Sequence, residues 1–235
     1  MFYYYGAKKA LAAYYPNPRG NRIIEPFGGS AAYSVYHMIR DNSISAVVIE
    51  KDIRVVELWN RLLSIGINGV KSVQCPPIGE KTTDYFVMVS ATGNAVNKCK
   101  SMTVTKRMPR IFEIMKKQVC IALPIISDRI KVINGNYTES LSMIESNDTV
   151  FVDAPYAPNA RGSTGSVYGG GKGYAKGCDS DSLNYFELAN YVLECARKAH
   201  VIVCDYSDAD WLSFQVLKKT TDSQKKGYQE GIWSN

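Results

Sequence analysis

Apolar positions along the chain fall into two rhythms. Short continuous runs, Ile23-Ile24, Ala46 to Ile49, Val150-Phe151-Val152 and Val201-Ile202-Val203, each meet an acid within two residues: Glu25, Glu50, Asp153 and Asp205. Runs of this length suit strands buried on both faces of a parallel sheet. Between them the spacing turns helical. Ala31 to Arg40 follows the first run, and Val55, Val56, Leu58, Trp59, Leu62 and Leu63 share one helical face after the second. A helix over 181–199 would bury Leu183, Phe186, Leu188, Tyr191 and Val192. Arg129 to Asn134 looks like a further strand, and Gln229 to Asn235 an edge strand. Strands alternating with helices predict an α/β fold on a mostly parallel sheet. In such sheets ligands sit beyond the carboxyl ends of the strands, where these acids stand.

The rhythm fails between Gly66 and Gly79, where glycines and Pro76-Pro77 punctuate. Residues 69–127 therefore read as an inserted small lobe, with 1–68 and 128–235 forming the main domain. Within the lobe only Ile111 to Lys117 signals a helix. Charge marks the same region. From Lys71 to Lys131 there are eleven Lys or Arg against four acids, and the whole chain carries only +6, so the remainder is near neutral. A localised basic segment is the footprint expected of a nucleic-acid contact, although a solvated face also carries such charge.

Composition removes other classes. No apolar stretch approaches the ~20 residues of a membrane span, and the N-terminus lacks the form of a signal peptide. A cytoplasmic protein with no membrane partner is expected. Six cysteines without a Cys-x-x-Cys pair, together with two histidines, argue against a zinc site, so no metal is expected and the thiols read as reduced and mostly buried.

Three stretches carry candidate chemistry. Glu25-Pro26-Phe27-Gly28-Gly29-Ser30 reads as strand end, glycine turn and helix start, where glycines let a ligand approach the backbone. Glu50 follows Gly29 at about the ~20-residue spacing that places an acid on ribose hydroxyls, which points to a nucleoside-containing cofactor. Asp153-Ala154-Pro155-Tyr156 sets an acceptor beside a flat ring, suited to a planar, amino-bearing guest. An ordinary strand-ending turn has the same composition. The tyrosine-rich start of the chain suggests a wall against the end of the sheet. Arg161 to Gly177, rich in glycine, predicts a long loop able to serve as a lid, with Arg161, Lys172 and Lys176 available to phosphates.

Taken in order, Tyr4-Tyr5-Gly6-Ala7-Lys8, Glu25 to Ser30 and Asp153 to Tyr156 resemble the Dam-type DNA adenine-N6 methyltransferases. That family has a cofactor loop of the form Asp/Glu-x-Phe-x-Gly and a catalytic Asp-Pro-Pro-Tyr. The resemblance spans most of the chain. It implies a class I methyltransferase fold: a Rossmann-like, mostly parallel sheet with helices on both faces and a small inserted target-recognition lobe. It further implies S-adenosylmethionine as cofactor, held by Tyr5, Lys8, Glu25, Pro26, Phe27, Gly28, Gly29, Ser30, Glu50 and Asp153. Catalysis would fall to Asp153, Ala154, Pro155 and Tyr156. Double-stranded DNA would be the partner of a monomer or weak dimer. Candidate DNA contacts are Lys98, Lys100, Lys106, Arg107 and Arg110 in the lobe, with Arg161 and Lys172 in the loop.

The sequence departs from the family where Ala154 replaces the first catalytic proline, where Ala31 and Ala32 stand in place of a later glycine, and where Val203-Cys204-Asp205 stands for the usual Ser-Asn. Alanine keeps the carbonyl but lacks the ring that fixes φ. Two rivals remain at this level: a DNA-binding protein that has lost transfer, and a methyltransferase acting on another planar amine such as cytosine N4. A nucleotide-dependent oxidoreductase is distant, because the glycine spacing is wrong.

Overall fold

The computed structural model describes residues 2, 8, 10–92, 100–157, 183–217 and 229–235. The principal strands are β1 (Arg22–Glu25), β2 (Ser45–Glu50), β5 (Ile130–Asn134), β6 (Asp148–Val152), β7 (His200–Tyr206), β8 (Gln215–Val216) and β9 (Glu230–Ser234). Among the described residues these seven pair in one sheet in the order β5-β2-β1-β6-β7-β9-β8. Neighbours run parallel from β5 to β7, and β9 lies antiparallel between β7 and β8. This is the Rossmann-like, mostly parallel α/β arrangement expected from the sequence.

Alternate residues of the central strands feed two cores. Ile23, Val48, Phe151 and Ile202 face one layer, containing α1 (Ala32–Arg40) and α2 (Ile53–Ser72). Ile24, Ile49, Val150, Val152, Val201 and Val203 face the other, containing α5 (Tyr185–Ala196). Each large side chain fully buried in this way contributes about 1.5–3 kcal/mol. The α5 helix begins under an Asn184 cap that accepts the Phe186 and Glu187 N–H groups. It buries Leu188, Tyr191, Val192 and Cys195, spaced at i, i+3, i+4 and i+7. Phe186 lies out of step with that stripe and is 76% exposed, so the expectation that it is buried is corrected.

The segment 69–127 comprises the end of α2, a two-stranded sheet of β3 (Lys81–Thr82) and β4 (Met102–Thr103), α3 (Tyr85–Thr92) and α4 (Met108–Ile126). Its apolar residues Phe86, Phe112, Val119 and Leu123 join the same cluster as Trp59 and Ile23. Here α4 is far longer than the helix signalled at Ile111 to Lys117. Pro109 stands in its first turn, where no N–H is needed. Residue 68, the expected boundary, falls inside α2, shortly after a kink at Gly66 (φ 59°). No helix among the described residues is long and apolar enough to cross a membrane.

Candidate active site

The site is assembled at one edge of the sheet. Because β1, β2, β6 and β7 are parallel, their carboxyl ends align and present Glu25, Glu50, Asp153 and Asp205 together. The antiparallel β9 enters at the same edge, where Glu230 pairs with Tyr206. Strands β1 and β6 are direct neighbours, so the glycine turn and the Asp153 tetrapeptide are side by side.

The turn after β1 is folded down onto β2. Gly28 donates its N–H to the Ile49 carbonyl at 2.8 Å. A Cβ on Gly28 would lie 2.2 Å from Val48 Cγ1, so no other residue fits there. Glu50 accepts the Gly29 N–H through Oε2 and the Asp52 N–H through Oε1, each at 2.7 Å. The Trp59 indole N–H donates to the Gly29 carbonyl at 2.9 Å and fixes the turn from below. Pro26 and Ser30 are buried, while Phe27 turns away to stack on Tyr137 with ring centroids 5.0 Å apart. Helix α1 lacks a side-chain cap, and its Ala31 takes a left-handed φ of 48°. Glu25 supplies the missing acceptor by receiving the Ser34 N–H at 2.7 Å. Burial pushes the Glu25 carboxyl up to about 8 despite that bond, and raises Glu50 as well.

Around β6 the polar groups converge on Lys8. Its ammonium lies 2.8 Å from Asp153 Oδ1, with 7% and 19% of the two side chains exposed. It also stands 4.3 Å from the centroid of the Tyr156 ring and 4.0 Å from Glu230 Oε1. Burial alone would pull Lys8 down, but Asp153 and Glu230 hold it above its ordinary range. Burial lifts Asp153 to about 6 against the pull of Lys8. Glu230 accepts hydrogen bonds from the Tyr15 hydroxyl at 2.5 Å and from the Tyr156 hydroxyl. The edge of Tyr206 packs on Tyr156 at 4.8 Å. Pro155 is held through its carbonyl by the Tyr185 hydroxyl at 2.6 Å, and Ala154 is buried. Asp205 accepts from the Ala157 and Tyr206 N–H groups and from the Trp211 indole, so it braces the segment after the tetrapeptide. Burial raises Asp205 to about 6 in spite of those donors.

The structure thus brings together Lys8, Glu25, Pro26, Gly28, Gly29, Ser30, Glu50, Asp153, Ala154, Pro155 and Tyr156. Tyr5, Lys98, Arg161 and Lys172 lie outside the described residues, as does the predicted lid. Lys106, Arg107 and Arg110 are exposed at the start of α4. Lys100 borders a groove of about 390 Å³ between α2 and α3, lined also by Arg54, Arg61 and Tyr85. Tyr15 and Glu230 were not among the sequence candidates, and Asp205 was singled out only as the acid ending its strand. The one signal for Glu230 is its neighbour Gly231, where a Cβ would meet Ser207 Cα at 2.6 Å, which marks close strand contact. No group of three or more metal-ligating side chains occurs among the described residues.

No family model matches the chain, and no curated protein matches it. Among solved structures, the crystal structure of a mutant of MtNAS aligns over 96% of this chain and 56% of its own, at 10% identity and a TM-score of 0.37. The chain therefore spans about half the length of that protein. A likeness so distant adds nothing to the topology described above.

Proposed function

We propose that this chain is an S-adenosylmethionine-dependent methyltransferase acting on N6 of an adenine flipped out of duplex DNA. One observation carries the reading: the Glu25–Ser30 turn and the Asp153–Tyr156 tetrapeptide occupy adjacent strand ends at one edge of the sheet. The donor set fits the cofactor. Glu50 accepts the Gly29 and Asp52 N–H groups on different oxygens and keeps lone-pair capacity for a ribose hydroxyl. The close approach at Gly28 leaves the turn without a side chain where a ligand would lie against the backbone. When bound, the cofactor supplies an electrophilic methyl group on a positively charged sulfur.

The chain's own residues do the positioning. Adenine N6 is inaccessible within a stacked duplex, so the base must be extruded. Tyr156 offers the stacking face, with its plane set by the Glu230 and Tyr206 contacts. Asp153 and the Ala154 carbonyl accept the two amino hydrogens and orient the nitrogen lone pair. Asp153 Oδ2 is not the oxygen used by the Lys8 ion pair. The rate gain comes mainly from this orientation. Exposed Lys100, Lys106, Arg107 and Arg110 would meet the phosphate backbone or a guanine edge.

The decisive experiment incubates the protein and cofactor with a random-sequence duplex library and sequences modified bases. Methylated adenine in a fixed context is expected. Methylated cytosine would transfer the reading to another planar amine. DNA affinity without cofactor affinity in a parallel titration would favour the reading as a DNA-binding protein without transfer, and would overturn this one.

A further inference from the structure

We propose that Glu230 is a positioning residue of the target pocket, which holds the Tyr156 ring and receives the Lys8 ammonium when the base takes its place over that ring. This deepens the methyltransferase reading and rests on it. Lys8 Nζ makes the two contacts that reading assigns to the base: 2.8 Å to the Asp153 carboxylate and 4.3 Å to the Tyr156 ring centroid. The base can use the other carboxylate oxygen, but the ammonium stands over the ring face where the base must stack, so the ammonium must leave when the base arrives.

Where it goes is constrained by burial. The Lys8 side chain is 7% exposed, and a buried charge stripped of its partner costs several kcal/mol. Glu230 Oε1 lies 4.0 Å from the same nitrogen and is itself largely buried. A swing of roughly 1 Å along the flexible lysine stem brings the ammonium to bonding distance of Glu230. That carboxylate already accepts the Tyr15 and Tyr156 hydroxyls on Oε1. Both lone pairs of that oxygen are in use, so the further donor bonds to Oε2, which keeps its two sites. The Tyr156 ring thus keeps its anchor before and after the exchange. Pairing of Glu230 with Tyr206, tightened by the close approach at Gly231, delivers the carboxylate to this point from the far end of the chain.

The test uses the full chain, with a duplex carrying the target context or the same duplex with 2-aminopurine next to the target adenine. Single-turnover methylation and 2-aminopurine fluorescence are read for the wild type, Glu230→Gln, Lys8→Met and the double variant, with thermal melts as a control for folding. An amide still accepts the phenol hydrogens but does not neutralise an ammonium. Glu230→Gln is therefore expected to slow methylation by roughly tenfold or more and to weaken the fluorescence rise, while cofactor affinity stays within about twofold. Adding Lys8→Met should recover the fluorescence rise, which a purely structural Glu230 would not allow. A double variant no better than Glu230→Gln overturns the exchange, as does a Glu230→Gln protein that behaves like the wild type. If Glu230→Gln fails to fold, Lys8→Met alone decides: base extrusion should persist without the competing ammonium, and its loss overturns the proposal. A wild type that neither methylates nor extrudes the base overturns this inference together with the reading beneath it. A wild type that methylates without rescue in the double variant overturns the exchange alone.

Discussion

Glu50 Oε2 accepts the backbone N–H of Gly29 at 2.7 Å, tying the tip of β2 to the turn that leaves β1. The second oxygen holds the Asp52 N–H, so one buried carboxylate fixes both the turn and the entry to α2. In Glu50→Ala the Gly29 and Asp52 donors lose their buried acceptor. Unfolding in urea should reveal a loss of about 1–3 kcal/mol. Calorimetric titration should show cofactor affinity reduced by roughly tenfold or more, as the turn loosens and the ribose acceptor disappears. Unchanged affinity would remove Glu50 from the cofactor site.

The pH dependence of transfer should report Asp153. Its carboxyl is raised to about 6 by burial, opposed by Lys8. Below that value the protonated group gives up acceptor capacity and the ion pair, so the rate should climb as pH rises through about 6. Asp153→Asn keeps an acceptor but cannot titrate. Its slower reaction should lack this limb, and a limb that persists at the same pH would assign the titration elsewhere.

Stability should run the other way. The Glu25 carboxyl rises from an ordinary 4.5 to about 8 in the folded protein, chiefly through burial. The folded state therefore binds the proton more tightly than the unfolded chain. The stabilisation is complete below about 4.5 and is lost as pH climbs toward 8. Asp153 and Asp205, each raised to about 6, add to the same slope in the lower part of this range. Urea midpoints measured between pH 5.5 and 8.5 should fall with pH. Glu25→Gln should flatten much of that fall, stabilising the protein at the upper end by on the order of 2–5 kcal/mol.

Arg129 closes the opposite end of the fold. Its guanidinium donates to the carbonyls of Met38 in the last turn of α1, of Asp41 and Ile44 beyond it, and of Ile125 at the end of α4. The Met38 and Ile125 carbonyls are among the orphan acceptors a helix terminus leaves behind. Arg129→Met should cost about 2–4 kcal/mol in chemical denaturation, because several charge-assisted bonds vanish together. Arg129→Lys should recover less than half, since an ammonium cannot span a fork of four acceptors.

Much of the sheet was legible because strands buried on both faces read as unbroken apolar runs, and Val150-Phe151-Val152 and Val201-Ile202-Val203 are such strands. The acids that end these runs announced the edge where the site lies. Helix α4 was largely hidden. Its buried face is interrupted by Lys116, whose stem is covered while its ammonium reaches the Val73 carbonyl at 3.0 Å. Pro124 stands inside the helix, which nonetheless runs on to Ile126. Phe186 misled in the other direction, since an aromatic ring near a helix start carries no mark of which side it faces. Within the site, Glu50 and Asp153 were found by position along the chain. Tyr15 and Glu230 were missed because their meeting depends on the pairing of β9 with β7, a long-range register that no local pattern encodes.

The two halves of the edge differ in how far apart their contacts lie along the chain. The turn is tied to Glu50 across 21 positions, whereas Tyr15 reaches Glu230 across 215. Loop-closure entropy favours the short connection first, so a chain still emerging during synthesis can shape the turn after β1 well before Lys8, Tyr15 and Glu230 meet. A partial product lacking β9 would hold the turn without that cluster, which is assembled only when β9 joins β7.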